Sequence, residues 1–171
     1  GKIGYVAPLD NAEARRLAAA TYLGAKYAWV HERQRAAADL EFTVAYIGYW
    51  FHIPGRTLDP SRLTRDFYAD GCDVVVSGIN TGEVAAEAGK LRAAGQQVYA
   101  VPYNCPPADS AAAAAVLGTP YFNWGPAYLE LAQMAADGYW RQQFMLTYPH
   151  WPSRTDGSIG FARGPALTPE M

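Results

Sequence analysis

The stretch Asp73–Gly82, which reads DVVVSGINTG, points most directly to the architecture of this chain. Its valines form a continuous β-branched run without polar alternation, which is typical of a strand buried on both faces. A loop of small and polar residues follows, and a helix is predicted to begin near Glu83. We therefore expect this strand to lie in the middle of a parallel sheet. The loop after it would then lie at the edge where open α/β sheets bind their ligands.

Strand and helix patterns alternate outward from this stretch. The predicted strands are at residues 2–7, 42–47, 74–76, 97–102 and 119–123. The predicted helices are at residues 11–30, 61–69, 83–94, 111–115 and 126–138. Ser61 and Pro126 are typical helix starts, and Gly95 is a typical helix stop. This alternation predicts an α/β fold with a parallel five-stranded, doubly wound sheet.

The chain is expected to divide into a lobe and an extension. Residues 1–140 contain all five strand and helix repeats, and we expect them to form an α/β ligand-binding lobe. Residues 141–171 show no regular period except at 158–162, where an edge strand or hairpin is predicted. We expect this extension to pack on the lobe.

Composition excludes two kinds of partner. The chain has 171 residues, of which half are hydrophobic and 18% are charged, an ordinary globular mixture. Its net charge is −2, and it has no basic block, so no nucleic-acid partner is predicted. No apolar run approaches the ~18 residues that a membrane span needs.

Asparagines follow the predicted strands. Asn11, Asn80, Asn104 and Asn123 are the four asparagines of the chain, and each comes after a different strand. Parallel strands end at one edge, so these amides are predicted to share it. Their donors and acceptors would suit an uncharged ligand that forms several hydrogen bonds. The alternative is that they are ordinary turn and N-cap residues.

Aromatic residues are predicted at the same edge. The chain contains five Trp and twelve Tyr, and among these Tyr103 and Trp124 are neighbours of the asparagines. Trp50 and Phe51 lie in a long aromatic loop after the second strand. Aromatic faces stack on flat rings and on sugars. We predict that Trp50 or Phe51 contacts a ligand, with simple loop packing as the alternative.

No catalytic or metal motif is present in the sequence. His31, His52 and His150 are far apart, and no nucleophile elbow, Walker loop or dinucleotide fingerprint occurs. The thiols of Cys72 and Cys105 are predicted at opposite edges of the sheet, too far apart for a disulfide. The loop at residues 77–82 could hold a phosphate on its backbone amides, or be an ordinary turn. We predict no catalytic residue, cofactor or metal.

Several ordered segments resemble one family. Residues 2–7 (KIGYVA), 97–104 (QVYAVPYN), 122–128 (FNWGPAY) and 157–162 (GSIGFA) are the main matches, and Gly138-Tyr139-Trp140 follows the third of them. With these motifs in this order, the chain resembles the carboxyl-terminal part of the basic membrane protein (BMP) family. The members of this family are solute-binding lipoproteins of ABC importers.

The resemblance implies a fold, a function and partners. The fold would be one lobe of a type I periplasmic-binding-protein-like structure. The function would be binding of a nucleoside or similar polar ring compound, without catalysis, at Trp50, Phe51, Asn80, Tyr103, Asn104, Asn123 and Trp124. The implied partners are an N-terminal lobe, which this chain lacks, and an ABC permease. The implied location is extracytoplasmic, periplasmic or membrane-anchored, and an uncovered cleft wall would favour a homodimer.

Two other functions are compatible with the sequence. Asn104 stands where the family usually has an aspartate, so the ligand can differ from that of the family. The same fold could serve as a sensor domain of a regulatory or signalling protein. A doubly wound enzyme acting on nucleosides or sugars is the other alternative, and it would need carboxylates or a metal at the strand ends.

Overall fold

The computed structural model describes residues 1–104, 110–139 and 155–168. Four parallel strands form its main sheet: β1 (Lys2–Ala7), β2 (Glu41–Tyr46), β3 (Val74–Ser77) and β4 (Tyr99–Val101). Their order is β2-β1-β3-β4, so β1 and the valine strand β3 are the interior strands. The predicted α/β class with a parallel sheet is confirmed.

Five α-helices connect or follow these strands within the described residues: α1 (Ala12–Tyr27), α2 (Pro60–Ala69), α3 (Glu83–Ala93), α4 (Ser110–Ala113) and α5 (Gly125–Ala136). A π-helical segment, Ala28–Glu32, extends α1, and a 3-10 turn, Ala37–Asp39, precedes β2. Asp59 rather than Ser61 caps α2, because its carboxylate accepts a hydrogen bond from the Ser61 amide at 2.8 Å. None of the helices in these ranges is both long enough and apolar enough to cross a membrane.

The predicted fifth strand does not belong to the parallel sheet, which has four strands instead of five. β5 (Gly118–Phe122) pairs antiparallel with β6 (Ile159–Arg163) in a separate two-stranded ribbon. A single parallel bridge, Ala100 to Val116, continues the sheet toward β5. Pro120 then removes an amide donor from the middle of β5, which favours such a peripheral position. The strand predicted at 158–162 is therefore present as β6, shifted by one residue.

The ribbon closes at its far end. The Asn123 amide donates to the Ser158 carbonyl at 2.9 Å, and the Asn123 side-chain amide donates to the Gly157 carbonyl at 3.0 Å. Residues 123 and 158 are therefore neighbours. The predicted boundary at 140/141 lies outside the described residues.

Helices cover the two faces of the sheet unequally. The larger core cluster joins one face to α2, α3 and α4, and contains Val6, Phe67, Val75, Val84, Ala88, Ala100 and Ala112. On that face Gly4 lets the Phe67 ring approach β1, because a methyl group at Gly4 would lie 2.6 Å from the ring. Among the described helices, α1 packs on the other face, where Tyr5, Ala7 and Ala18 are buried. Parts of this second face are consequently open.

A buried carboxylate links two helices of the covered face. Glu87 of α3 accepts hydrogen bonds from Arg65 of α2 at 2.9 Å and from Lys90 at 2.7 Å. Burial opposes ionisation of Glu87, but these two cations outweigh it and lower its pKa. This cluster lies away from the strand ends and is structural.

Candidate ligand-binding site

The loops after the strands meet at one edge of the sheet, here called the carboxyl edge. It comprises residues 8–11, 48–59, 78–82, 102–104 and 123–124. Because β2 and β4 are the outer strands, the loop after β2 and the turn after β4 lie at opposite ends of this edge. Three strand spacings separate them, or about 14 Å. Trp50 and Phe51 are therefore not brought together with Tyr103 and Trp124.

One end of the carboxyl edge carries a row of aromatic rings, here called the aromatic row. Ring centroids are 6.2 Å apart between Tyr103 and Phe122, 6.0 Å between Phe122 and Trp124, and 6.3 Å between Trp124 and Tyr128. The Trp124 and Tyr128 rings are stacked at 27°, and Trp124 is 56% exposed. Phe122 and Tyr128 were not predicted from the sequence. Their positions in the sequence could have indicated this. Phe122 lies two residues before Trp124, as for neighbours on one side of a strand, and Tyr128 lies four residues after it, as for neighbours on one side of a helix.

The other end carries the aromatic loop after β2. Trp50 is 43% exposed and Phe51 is 48% exposed, and Phe51 meets Tyr49 edge-on at 5.0 Å. The Thr57 hydroxyl anchors the loop, since it accepts from the Ile53 amide at 2.9 Å and bonds His52 Nδ1 at 2.9 Å. The loop is thus internally bonded while it presents both rings to solvent.

Three of the four asparagine side chains accept hydrogen bonds from backbone amides. Asn11 Oδ1 accepts from the Ala14 amide at 2.8 Å and caps α1. Asn104 Oδ1 accepts from the Phe122 amide at 3.0 Å, and Asn123 Oδ1 accepts from the Gly125 amide at 3.2 Å. The exposed Asn80 has no hydrogen bond with any described residue. The free amide groups of Asn80 and Asn104 remain available to a ligand.

The loop after β3 is not a favourable anion site. Glu83 begins α3, so a carboxylate already occupies the first turn, where an anion would bind. The Thr81 hydroxyl and Glu83 Oε2 are buried without hydrogen-bond partners in the described structure. The phosphate alternative of the sequence analysis gains no support here.

Two cavities flank α1 on the open face of the sheet. The first is a shallow groove of about 540 Å³ against β2, lined by Arg15, Tyr22, Phe42 and Tyr46 among others. Arg15 is engaged there, because it donates to both carboxylate oxygens of Asp10, at 2.5 and 2.8 Å. These hydrogen bonds lower the pKa of Asp10 and raise that of Arg15.

The second cavity is more enclosed and has a volume of about 300 Å³. It lies between α1, the ends of β3 and β4, and the β5–β6 ribbon, and will be called the α1-side groove. Its lining includes Tyr5, Leu17, Val76, Tyr103, Phe122 and Ile159. Burial raises the pKa of Tyr103, and burial with nearby phenols raises that of Tyr5 to about 12, so both hydroxyls are neutral at physiological pH. Tyr103 and Phe122 join this groove to the aromatic row.

Within the described ranges, no group of three His, Cys, Asp or Glu side chains could hold a metal. His31 packs on the Tyr27 ring at 4.6 Å, and His52 is bonded to Thr57. Cys72 is a buried free thiol whose pKa is raised by burial. Cys105, Trp140 and His150 lie outside the described residues.

Solved structures share this fold. The chain superposes on ABC transporter system solute-binding proteins from Aeropyrum pernix K1 with a TM-score of 0.68 and 15% identity, covering 94% of this chain and 40% of that chain. It superposes on an ABC transporter system solute-binding protein from Conexibacter woesei DSM 14684 with a TM-score of 0.64 and 15% identity, covering 98% and 48%. No protein-family model and no curated protein matched the sequence.

These likenesses establish the architecture. The chain has a periplasmic-binding-protein-like α/β fold of the kind found in ABC transporter solute-binding proteins. It spans less than half of the length of either one. The finer resemblance to the BMP family remains a prediction from the sequence motifs.

Proposed function

We propose that this chain is a ligand-binding lobe of an ABC-importer solute-binding protein of the BMP family. Its ligand would be a nucleoside or a similar small polar ring compound. The observation that carries this proposal is the aromatic row beside the free amide group of Asn104, at the carboxyl edge of a fold shared with solute-binding proteins. Open α/β sheets bind their ligands at this edge.

The mechanism requires binding without chemistry. A ring of the ligand stacks on the exposed faces of the aromatic row or of Trp50 and Phe51, and the amides of Asn80 and Asn104 bond its polar edges. A second lobe then closes over the ligand and excludes water. Trp50 and Trp124 lie at opposite ends of the edge, so they serve different parts of the ligand or different states of closure.

The remaining partners follow from this function. The second lobe would be supplied by a partner or by further sequence of the same protein, and the closed pair would deliver solute to an ABC permease. Such a protein would work outside the cytoplasm, free in the periplasm or anchored to a membrane. The two solved relatives belong to this class of transporter component, which supports the proposal.

The proposal is tested by titrating the chain with adenosine, uridine and ribose and following heat or tryptophan fluorescence. One lobe presents one wall of a cleft, so we expect Kd values near ~1 mM, or about 4 kcal/mol. Trp124→Ala should weaken nucleoside binding by about 1–3 kcal/mol, the usual contribution of a stacked base.

Leu23→Ala is the control, because Leu23 is an exposed apolar residue of α1 that lies outside the aromatic row. Trp50→Ala shows whether the far end of the edge takes part. Absence of binding by every nucleoside at ~10 mM would contradict the proposal, since even a single stacked ring should be detected there.

A further inference from the structure

Tyr5 is a buried tyrosine with an unused hydroxyl. It is 2% exposed, in the middle of β1, and its hydroxyl forms no hydrogen bond with any residue that the structure describes. Buried tyrosine hydroxyls usually find a partner, because an unpaired polar group in a core is costly. Tyr5 Oη is not one of the described side-chain atoms that are fully buried without a partner, so it can bond water or a ligand in the space beside it.

The Tyr5 hydroxyl reaches the carboxyl edge. Its ring lies across Gly78, the first residue after β3, where a methyl group would come within 2.6 Å of Tyr5 Oη. The residue after β3 must consequently be small for the hydroxyl to occupy this place. Tyr5 also lines the α1-side groove, so a ligand in this groove would lie beside the tyrosine.

Two other polar side chains of the groove are already bonded. Thr21 donates to the Leu17 carbonyl at 2.9 Å, and Ser77 donates to the Ile79 carbonyl at 3.1 Å. Among the residues that the structure describes, the rest of the lining is aliphatic or aromatic and includes no charged side chain. A largely apolar cavity of about 300 Å³ with a few phenol hydroxyls in its described lining is characteristic of a small-molecule site, and Tyr5 is the most deeply buried of these tyrosines.

We propose that the α1-side groove binds a planar, uncharged heterocycle and that Tyr5 donates a hydrogen bond to a carbonyl oxygen or ring nitrogen of this ring. Tyr103 and Phe122 pack against the ring where the groove meets the aromatic row. This inference deepens the proposed function and rests on it: the base of the solute enters the groove beside Tyr103 and Phe122, and the rest of the solute lies at the carboxyl edge against Trp124.

The groove also explains which ligands are excluded. A charged ring would lose its hydration without gaining a counter-ion, because the lining carries no charge. A free sugar would also lose the hydration of several hydroxyl groups in a largely apolar groove. The groove therefore selects bases over free sugars and over anions.

The experiment uses the 171-residue chain with ¹³C-labelled tyrosine rings, followed by NMR during titration with adenine, uracil and adenosine. The Tyr5 signal is assigned by its loss in Tyr5→Phe. We expect at least one of these compounds to shift this signal in a saturable way. Tyr5→Phe should bind it about 3- to 10-fold more weakly, the effect of one neutral hydrogen bond.

Two neighbouring alanines of α1 supply a matched pair. Ala20 lines the α1-side groove, Ala19 lines the shallow groove on the other side of the helix, and both are exposed. Ala20→Leu should weaken binding by occupying part of the α1-side groove, whereas Ala19→Leu should leave it unchanged. Both variants keep good helix formers and are expected to fold alike.

Three results overturn the inference: an unmoved Tyr5 signal with all three compounds, equal binding by the two leucine variants, or unchanged affinity in Tyr5→Phe. Nucleoside binding that needs Trp124 but leaves Tyr5 unmoved would retain the proposed function and reject the groove. Binding of free bases that Ala20→Leu weakens, without any binding of nucleosides, would retain the groove and reject the nucleoside.

Discussion

Asn104 combines two structural tasks in one side chain. Its backbone has a φ of +57°, in the left-handed region, and its Oδ1 accepts a hydrogen bond from the Phe122 amide at 3.0 Å. Asparagine tolerates this conformation better than most residues with a Cβ. This hydrogen bond joins the turn after β4 to the end of β5, and so holds Tyr103 and Phe122 of the aromatic row next to each other.

Replacement of Asn104 should therefore destabilise the fold even without ligand. We expect Asn104→Ala to lower the free energy of unfolding by about 1–3 kcal/mol, through left-handed strain and the lost hydrogen bond. Asn104→Gly should cost less, because glycine adopts this conformation freely and loses only the bond. Urea denaturation of both variants measures the difference, and equal stabilities would show that the backbone is not strained.

For single residues, the sequence predicted where the asparagines lie in the fold but not which groups they bond. The asparagines were expected at strand ends because residue order and strand direction fix those places. Their bonding partners were not predictable, since the Phe122 and Gly157 groups that meet Asn104 and Asn123 are distant in sequence. The free hydroxyl of Tyr5 was hidden for the same reason: Tyr5 looks like any core residue of an interior strand.

Close contact between helices depends on glycine at one point. A methyl group at Gly89 of α3 would lie 2.5 Å from the Ala111 carbonyl oxygen and 2.8 Å from Ala112 Cα, both backbone atoms of α4. Backbone cannot move aside as a flexible side chain can. The alanine-rich run near residue 111 thus forms the short helix that its composition predicted, packed directly on α3.

Two glycine-to-alanine substitutions should consequently change the free energy of unfolding in opposite directions. Gly89→Ala should lower the free energy of unfolding by about 1–3 kcal/mol through overpacking. Gly24→Ala, in α1, should raise it by about 0.5–1 kcal/mol, because nothing lies within 4 Å of the added methyl and alanine is the better helix former. Thermal and chemical denaturation measure both, and a stabilised Gly89→Ala would contradict the tight contact.

The elements were predictable where the pattern is local. The parallel strands and their helices follow from apolar runs, caps and glycine stops, and β1 was placed at its observed bounds. β5 was assigned to the wrong sheet, because its partner β6 is about forty residues away along the chain. Only a long-range pairing, together with Pro120, decides which sheet that strand joins.

At the scale of the whole molecule, α5 stands apart. It contains one charged residue, Glu130, and none of its side chains is buried. Leu129 is 71% exposed, and Tyr128 and Trp124 are largely exposed as well. A largely apolar helix normally belongs in a core, so we expect a partner lobe or a second copy to cover α5.

We expect the chain alone to self-associate through this surface. Sedimentation at increasing concentration should show a monomer–dimer equilibrium that Leu129→Glu shifts toward monomer, since a buried unpaired charge opposes association. Leu23→Glu is the control, because Leu23 is 62% exposed on α1. A wild-type chain that stays monomeric at ~0.1 mM would contradict the expectation.

The closed end of the β5–β6 ribbon determines which segment of the sequence could be lengthened, shortened or exchanged during evolution. Residues 123 and 158 are hydrogen-bonded neighbours, so the segment between them begins and ends at adjacent points of the lobe. A two-residue hairpin turn could join residues 123 and 158 without disturbing the sheet. A longer insert between them would cost little more in loop-closure entropy. An exchange of residues 124–157 would therefore replace Trp124, Tyr128 and α5 of the site, while the four-stranded sheet keeps its own hydrogen bonds.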